Sequence, residues 1–461
     1  MLRRELSKLE NFATIVGMMV GSGIFVAIGE AGKDAGPATV LAYLILGPIT
    51  LLLALPYVIF QSTPLGNLTG GAYMHISRTF KNHFIAFIVM WLTWLTYLGV
   101  LSVLAISVGR YLQAFMPGLD PRITATLCLC LFYLINLTGV KQFGRIQSAM
   151  FWVLILAVVL LIVPGLFAVH ATNFIPLMPN GWAGFLKALP ILFFAYAGFD
   201  ALSQTAGETK DARHSLPKVF IFGICTAIAI YAGISTVAFG TTPFDVLVKS
   251  QAPLIDAART FLPAGIGPII VTTGAIMAFL TTINACMMVP SRILFAFSQD
   301  RIAPRILSRL NDRYGTPHMS LTINLVLAVV LIWTKTVGYL IGISMQAMII
   351  LYATECAAMM SLPFVNKPLW RQVPFRIGKW WVVAGGAISV TALIILYAII
   401  PNPLPAPLVI WTIIGSAFYV VERRRGTREA FDYGATLTAF LYPAKNEEER
   451  ATPSSPLPEG V

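Results

Sequence analysis

Charge is what this chain lacks: of its 461 residues only 11% are Asp, Glu, Lys or Arg, against 57% hydrophobic and a mean hydropathy of +0.78. A soluble domain carries about a quarter of its residues charged, so this composition excludes one and implies a chain solvated by lipid. Cysteine is scarce too. The five, Cys128, Cys130, Cys225, Cys286 and Cys356, fall inside apolar stretches, which argues against disulfides and against zinc. The five histidines, His75, His83, His170, His214 and His318, fall in expected loops or span ends without metal-ligand spacing. No metal, cofactor or convergent catalytic set is therefore expected, and the chain does not read as an enzyme. No small-residue cleavage site follows the first apolar stretch, which is expected to stay in the membrane.

What is present is a row of apolar stretches long enough to span. They run from about Ala13 to Ile28, Ala38 to Ser62, Phe84 to Met116, Ile123 to Val140, Ile146 to Val169 and Phe185 to Ala206. The row continues with Val219 to Gly240, Gly265 to Ser298, Leu321 to Trp333, Val337 to Phe364, Trp380 to Ile400 and Leu408 to Val421. The expected fold is an all-α membrane protein of twelve transmembrane helices. Most of the 32 Lys and Arg fall on loops that share one side with both termini, so both ends are expected in the cytoplasm, with the chain in the plasma (inner) membrane. The net charge of +12 is thus topological, and with no basic groove interleaved with aromatics, no nucleic-acid partner is expected. The expected organisation is a cytoplasmic N-terminus over 1–10, a core of ten helices over 11–364, helices 11 and 12 over 365–425, and a disordered cytoplasmic tail over 426–461, where prolines and Glu447, Glu448 and Glu449 accumulate.

Two places inside the spans read as interruptions. Gly21-Ser22-Gly23 lies in mid-span of the first stretch, and Gly198 and Asp200 lie in the sixth. Lipid cannot satisfy an unwound backbone, so such a break is kept for a ligand: freed N–H groups suit a carboxylate and freed carbonyls an ammonium group. Breaks at matching positions, five spans apart, point to a 5+5 inverted-repeat transporter with broken helices 1 and 6 and a small zwitterion as cargo. The competing reading is that Gly21, Gly23 and Gly198 let helices pack closely. A channel would need a continuous polar path or a selectivity ring, which the isolated acids do not supply. A membrane receptor that binds without transporting stays open.

Four stretches carry a family resemblance from about Leu9 to Ser361. They are Val20-Gly21-Ser22-Gly23-Ile24-Phe25; Pro64 with Gly70-Gly71-Ala72-Tyr73; Phe194 to Asp200 followed by Gly207-Glu208-Thr209-Lys210-Asp211 and Leu216-Pro217; and Ser291-Arg292 to Asp300-Arg301 with Gly315-Thr316-Pro317. In order and spacing they resemble the amino acid-polyamine-organocation (APC) transporters. The resemblance implies a substrate carboxylate on the amides of Gly21, Ser22 and Gly23, with Ile24 beside them. It implies an ammonium on carbonyls near Phe194 and Ala197, an occluding aromatic at Phe194, and Tyr196 nearby. Val100 and Cys286 would then lie near the substrate side chain, and being small and uncharged they favour a neutral, apolar amino acid over an arginine or polyamine cargo.

Coupling is read from two places. Asp200 is an acid inside a span, which is expensive and functional by default. It could present a carboxylate to a cationic cargo, but the resemblance places it where members with neutral substrates are commonly acidic, so it is assigned to proton coupling or gating before substrate charge. Glu355, the second such acid, is either a proton site or a structural hydrogen-bonding group. In sodium-coupled relatives of this fold a cation lies where Gly17, Val20, Thr281 and Thr282 fall here, and two hydroxyls beside two carbonyls suit a hard monovalent ion. The same hydroxyls have an equal alternative in bonding to backbone. Many proton-linked members place a fifth-span lysine there, and here Leu154 is expected in its place. The reading is secondary active transport of amino acids by alternating access, with proton coupling or exchange; the alternatives are a sodium symporter and a cationic amino acid or polyamine exchanger.

Overall fold

The computed structural model describes residues 2–113, 116–250, 252–334, 337–375, 377–400 and 406–438, leaving aside the side chains of 22, 24–26 and 337–342. The architecture is all-helical, and the single extended contact among the described residues is a bridge between Leu6 and Thr209. The helices of the first half are α1 (Lys8–Ala35), α2 (Thr39–Gln61), α3 (Gly71–Phe80), α4 (His83–Gln113), α5 (Pro121–Leu137), α6 (Val140–Phe167), α7 (Gly181–Tyr196) and α8 (Ala201–Gln204). The second half holds α9 (Ala212–Thr241), α10 (Phe244–Lys249), α11 (Pro253–Phe261), α12 (Ile266–Gln299), α13 (His318–Trp333), α14 (Val337–Val365), α15 (Lys367–Trp370), α16 (Lys379–Ile399), α17 (Ala406–Arg428) and α18 (Tyr433–Thr438). Among the described residues nine stretches are long and apolar enough to cross a membrane, and α5 and α13 are shorter apolar helices. Leucines, isoleucines and tryptophans on the outer faces of α5, α6, α16 and α17 remain exposed, as lipid contact allows.

The first span departs from expectation. α1 begins at Lys8, where Ser7 and Glu10 form a reciprocal capping box, and it runs unbroken through Gly21-Ser22-Gly23 to Ala35. Broken helix 1 is therefore corrected to a continuous helix, and the reason lies in its neighbours. A β-carbon on Gly21 would stand 1.7 Å from Thr282 Oγ1 and 2.4 Å from the Ala278 carbonyl oxygen, and one on Gly23 would stand 2.5 Å from Ala195 Cβ. Glycine here lets α1 press against α12 and α7, while its amides stay in the helix ladder. The side chains of Ser22 and Ile24 lie outside the described residues.

The sixth span is interrupted as expected. α1 packs on α7, α9, α12 and α6, α4 packs on α12 and α14, and so the interruption between α7 and α8 falls in the middle of the bundle. The tail expected to be disordered from 426 is also corrected in part. α17 continues to Arg428, and α18 is held by Tyr433, whose hydroxyl donates to the Arg301 carbonyl at 3.1 Å and whose ring lies under the Arg423 guanidinium at 5.5 Å. Residues 439–461 of that tail lie outside the described residues.

Candidate functional site

α7 ends at Tyr196. Ala197 turns to extended geometry, Gly198 takes φ +103, which residues with a β-carbon avoid, and helix resumes only at Ala201. The last carbonyls of α7 thus leave the helix ladder at the negative end of its dipole, in mid-bundle. The Tyr231 hydroxyl of α9 reaches the Ala195 carbonyl at 2.6 Å and the Met19 carbonyl at 2.5 Å, fixing this end of α7 against α1.

Asp200, just past the interruption, is fully buried. Tyr97 of α4 donates its hydroxyl to Asp200 Oδ2 at 2.5 Å and Tyr352 of α14 donates to Oδ1 at 2.9 Å, so each carboxyl oxygen has one phenolic donor. A buried carboxyl left without partners costs several kcal/mol, and two short O–H donors are what make this one tolerable.

A cavity of about 420 Å³ runs down to the interruption. It is lined by Gly23 and Ala27 of α1, Gly99, Val100, Val103 and Leu104 of α4, Phe194 and Ala195 of α7, and Ser344 of α14, and its mouth lies by the exposed Glu30 and Arg110, near the C-terminal ends of α1 and α4. A small cavity of about 20 Å³ lies beyond it, walled by Met18, Thr96, Tyr97, Ala197, Gly198, Thr282, Cys286 and Met348. Val100 and Phe194 line both, so the Phe194 ring stands between the open cavity and the interruption.

The opposite end, which holds the N-terminus, is shut by buried ion pairs. Arg78 of α3 binds Asp300 at the end of α12 through two hydrogen bonds of 2.6 and 3.0 Å, and Tyr73 donates to the same carboxyl at 2.6 Å. Arg292 of α12 binds Glu208 through bonds of 2.9 and 2.8 Å, while the Glu208 carbonyl accepts the amides of Glu5 and Leu6. Burial by itself raises the Asp300 carboxyl, yet the Arg78 guanidinium bonded to it outweighs that and holds it below the usual carboxylate range.

The second intramembrane acid has a partner that sequence reasoning missed. Both Glu355 oxygens lie 3.2 and 3.3 Å from His75 Nδ1, and His75 Nε2 lies 3.2 Å from the Gln61 side-chain nitrogen. His75 is no loop residue: it sits inside α3, fully buried and stacked on Phe60 with ring centroids 4.7 Å apart. Its separation of 280 positions from Glu355 leaves no local signal of the pair.

The expected ion-site residues do come together, with each hydroxyl bonded to main chain. Thr281 Oγ1 donates to the carbonyls of Gly17 and Ala278 at 3.2 and 2.8 Å, and Thr282 Oγ1 to the same two at 3.2 Å each. Val20 is buried in the core. The α6 side chain that reaches this place is Gln147, near Gly17 and 3.4 Å from the Ala13 carbonyl, whereas Leu154 was expected there. Of the expected substrate residues, Gly23, Val100, Phe194, Ala197 and Cys286 line the two cavities, and Gly21 faces α12. Tyr196 does not join them: its hydroxyl donates to the Tyr43 carbonyl at 2.9 Å and its ring packs on Tyr43 and Tyr231. Tyr97, Tyr352, Met18 and Met348 were not expected at the site.

The sequence profile described as amino acid permease matches residues 6–420. A branched-chain amino acid permease of Bacillus subtilis strain 168 is 28% identical over 69% of this chain and 72% of its own length. A chloroplastic cationic amino acid transporter of Arabidopsis thaliana is 29% identical over 67% of this chain and 58% of its own length. A D-serine/D-alanine/glycine transporter of Escherichia coli O6:H1 is 27% identical over 70% of each chain.

Proposed function

Since this chain belongs to the amino acid permease family, we propose that it is a secondary transporter that carries neutral, apolar amino acids by alternating access. The observation that carries the reading is the apolar cavity that descends to the α7–α8 interruption with Phe194 across its floor. In this reading the substrate ammonium meets the carbonyl end of α7, where the helix dipole is negative. The side chain packs among Val100, Met18, Met348 and Cys286, and Phe194 closes over it.

The fold in this reading has twelve spans, the first ten as two inverted repeats of five, with both termini in the cytoplasm. The cavity mouth then faces outside and the Arg78–Asp300 and Arg292–Glu208 pairs seal the inside, which makes this an outward-facing state. Asp200, tied through Tyr97 to the wall of the small cavity, is the coupling acid, either for a proton or for gating during exchange. Sodium coupling is the alternative, with Thr281 and Thr282 gathered at the Gly17 carbonyl and each hydroxyl donating to main chain. A cationic cargo is disfavoured because Glu30, at the mouth, is the one acid among the described residues that line the large cavity.

Competition for a labelled neutral amino acid by all twenty, measured on the purified protein, tests the substrate class. Leucine, valine, alanine and methionine are expected to displace it. Preferential displacement by arginine or ornithine would turn the reading to the cationic alternative.

A further inference from the structure

The two buried acids outnumber the buried base beside them. Asp200, Glu355 and His75 are all fully buried, and among the described residues no lysine or arginine pairs with any of them. If both carboxyls were ionised with a neutral imidazole, two uncompensated negative charges would sit in the bundle, each costing several kcal/mol. Neutrality requires two protons distributed over three groups, and that is the composition of a proton store.

Their placement links the store to the cavity. Tyr97, a wall of the small cavity, donates to one Asp200 oxygen, and Tyr352 donates to the other. Glu355 stands one helical turn beyond Tyr352 on α14 and holds His75 of α3. Other groups facing Glu355 are the Tyr57 hydroxyl of α2, fully buried, without a hydrogen-bond partner among the described residues and placed to feel both acids, and Cys356 of its own helix, beside Ser389 of α16. Gln61 of α2 closes the far side of the imidazole. One turn further along α3 lies Arg78, half of the pair that shuts the N-terminal end, and Asn366 beyond α14 donates to the Arg78 carbonyl at 2.9 Å. The proton store and the closure thus share one helix.

We propose that Glu355 and His75 form a second proton site that works with Asp200: a substrate ammonium arriving at the end of α7 favours the Asp200 carboxylate, and the displaced proton is held on the Glu355–His75 pair until the Arg78 end opens. This rests on the amino acid transport reading and extends it to the coupling route. No bond other than O–H and N–H changes, and the proton count of the three groups is kept until release to water at the open end.

The test separates proton-driven accumulation from exchange, which needs no net proton movement. In reconstituted vesicles Glu355→Gln and His75→Gln are each expected to lose about tenfold or more of the accumulation driven by an imposed pH gradient, with labelled-substrate exchange falling by less than about threefold. Infrared difference spectra of the wild type on substrate binding are expected to show a carboxyl band that Glu355→Gln removes. Accumulation that survives in either folded variant overturns the site, as does a proportional fall of accumulation and exchange in both together with a carboxyl band left intact in Glu355→Gln. If a variant fails to fold, the wild-type spectrum decides alone: no carboxyl change on substrate binding overturns the proposal. A wild type that exchanges amino acids and ignores the pH gradient also sinks the proton site, whereas one that binds no amino acid sinks the underlying reading.

Discussion

α1 and the α7–α8 segment both carry glycine next to a small or acidic residue at mid-depth, yet one is a continuous helix and the other is broken. The difference lies in what surrounds each glycine. Around Gly198 a β-carbon would find its nearest atom at 3.5 Å, so space is not the constraint; φ +103 is. Around Gly21 and Gly23 the nearest atoms stand at 1.7 and 2.5 Å while the backbone stays helical, so contact is the constraint and conformation is not. Glycine in a membrane helix marks either a left-handed turn or a close approach, and the neighbours decide which. The broken segment also has an anchor that the helical one lacks, the pair of tyrosine hydroxyls on Asp200.

Substitutions that add bulk should separate the two regions most strongly. Gly21→Val forces α1 away from Thr282 and the Ala278 carbonyl, and a loss of about 3 kcal/mol is expected, read as a lower melting temperature of the purified protein. A Gly21→Val protein as stable as wild type would show that α1 is not held by this contact. A smaller loss is expected at the anchor: Tyr97→Phe leaves Asp200 Oδ2 without its donor and should destabilise by about 2 kcal/mol while slowing transport more than Tyr196→Phe does. Equal effects of the two tyrosine changes would remove Asp200 from its special place.

Smaller still is the purely conformational effect. Gly198→Ala meets no clash and should lose about 1–2 kcal/mol for its φ alone, with the protein remaining folded and its transport impaired. The least effect is expected at the closed end. A carboxyl held below its ordinary value contributes stability that is present above the unfolded pKa, near 3.9, and lost as pH falls through the folded one, so Asp300 should leave melting flat between about pH 5 and 8. The Asp300 carboxyl itself then adds no pH dependence to transport in that window; a window that shifts in Asp300→Asn would assign the dependence to the closed end, where His83 lies 3.4 Å from the same carboxyl.

The helical, membrane-spanning character was legible because lipid demands long apolar runs, and the runs from Ala38 to Ser62 and from Gly265 to Ser298 nearly coincide with α2 and α12. The α7–α8 interruption was legible because Gly198 and Asp200 are each costly in a membrane helix unless they break it or bind something. The state of α1 was not legible, since Thr282 and Ala195, which touch its glycines, lie far along the chain. Distance in sequence also hid His75 opposite Glu355 and Tyr352 opposite Asp200. Phe194 came from the family resemblance, whereas Tyr196, two positions on, points the other way around α7, into Tyr43 and Tyr231. Gly23→Val would likewise strike Ala195, whose Cβ would stand 2.5 Å from the new β-carbon.

The most direct test is exchange in sealed vesicles holding the reconstituted protein and loaded with unlabelled leucine. Labelled leucine is expected to enter in exchange, to be blocked by external valine, alanine or methionine but not by arginine, and to enter much more slowly through Tyr97→Phe. Binding without entry would make the protein a receptor, and entry blocked first by arginine or ornithine would contradict the neutral, apolar site at the α7–α8 interruption.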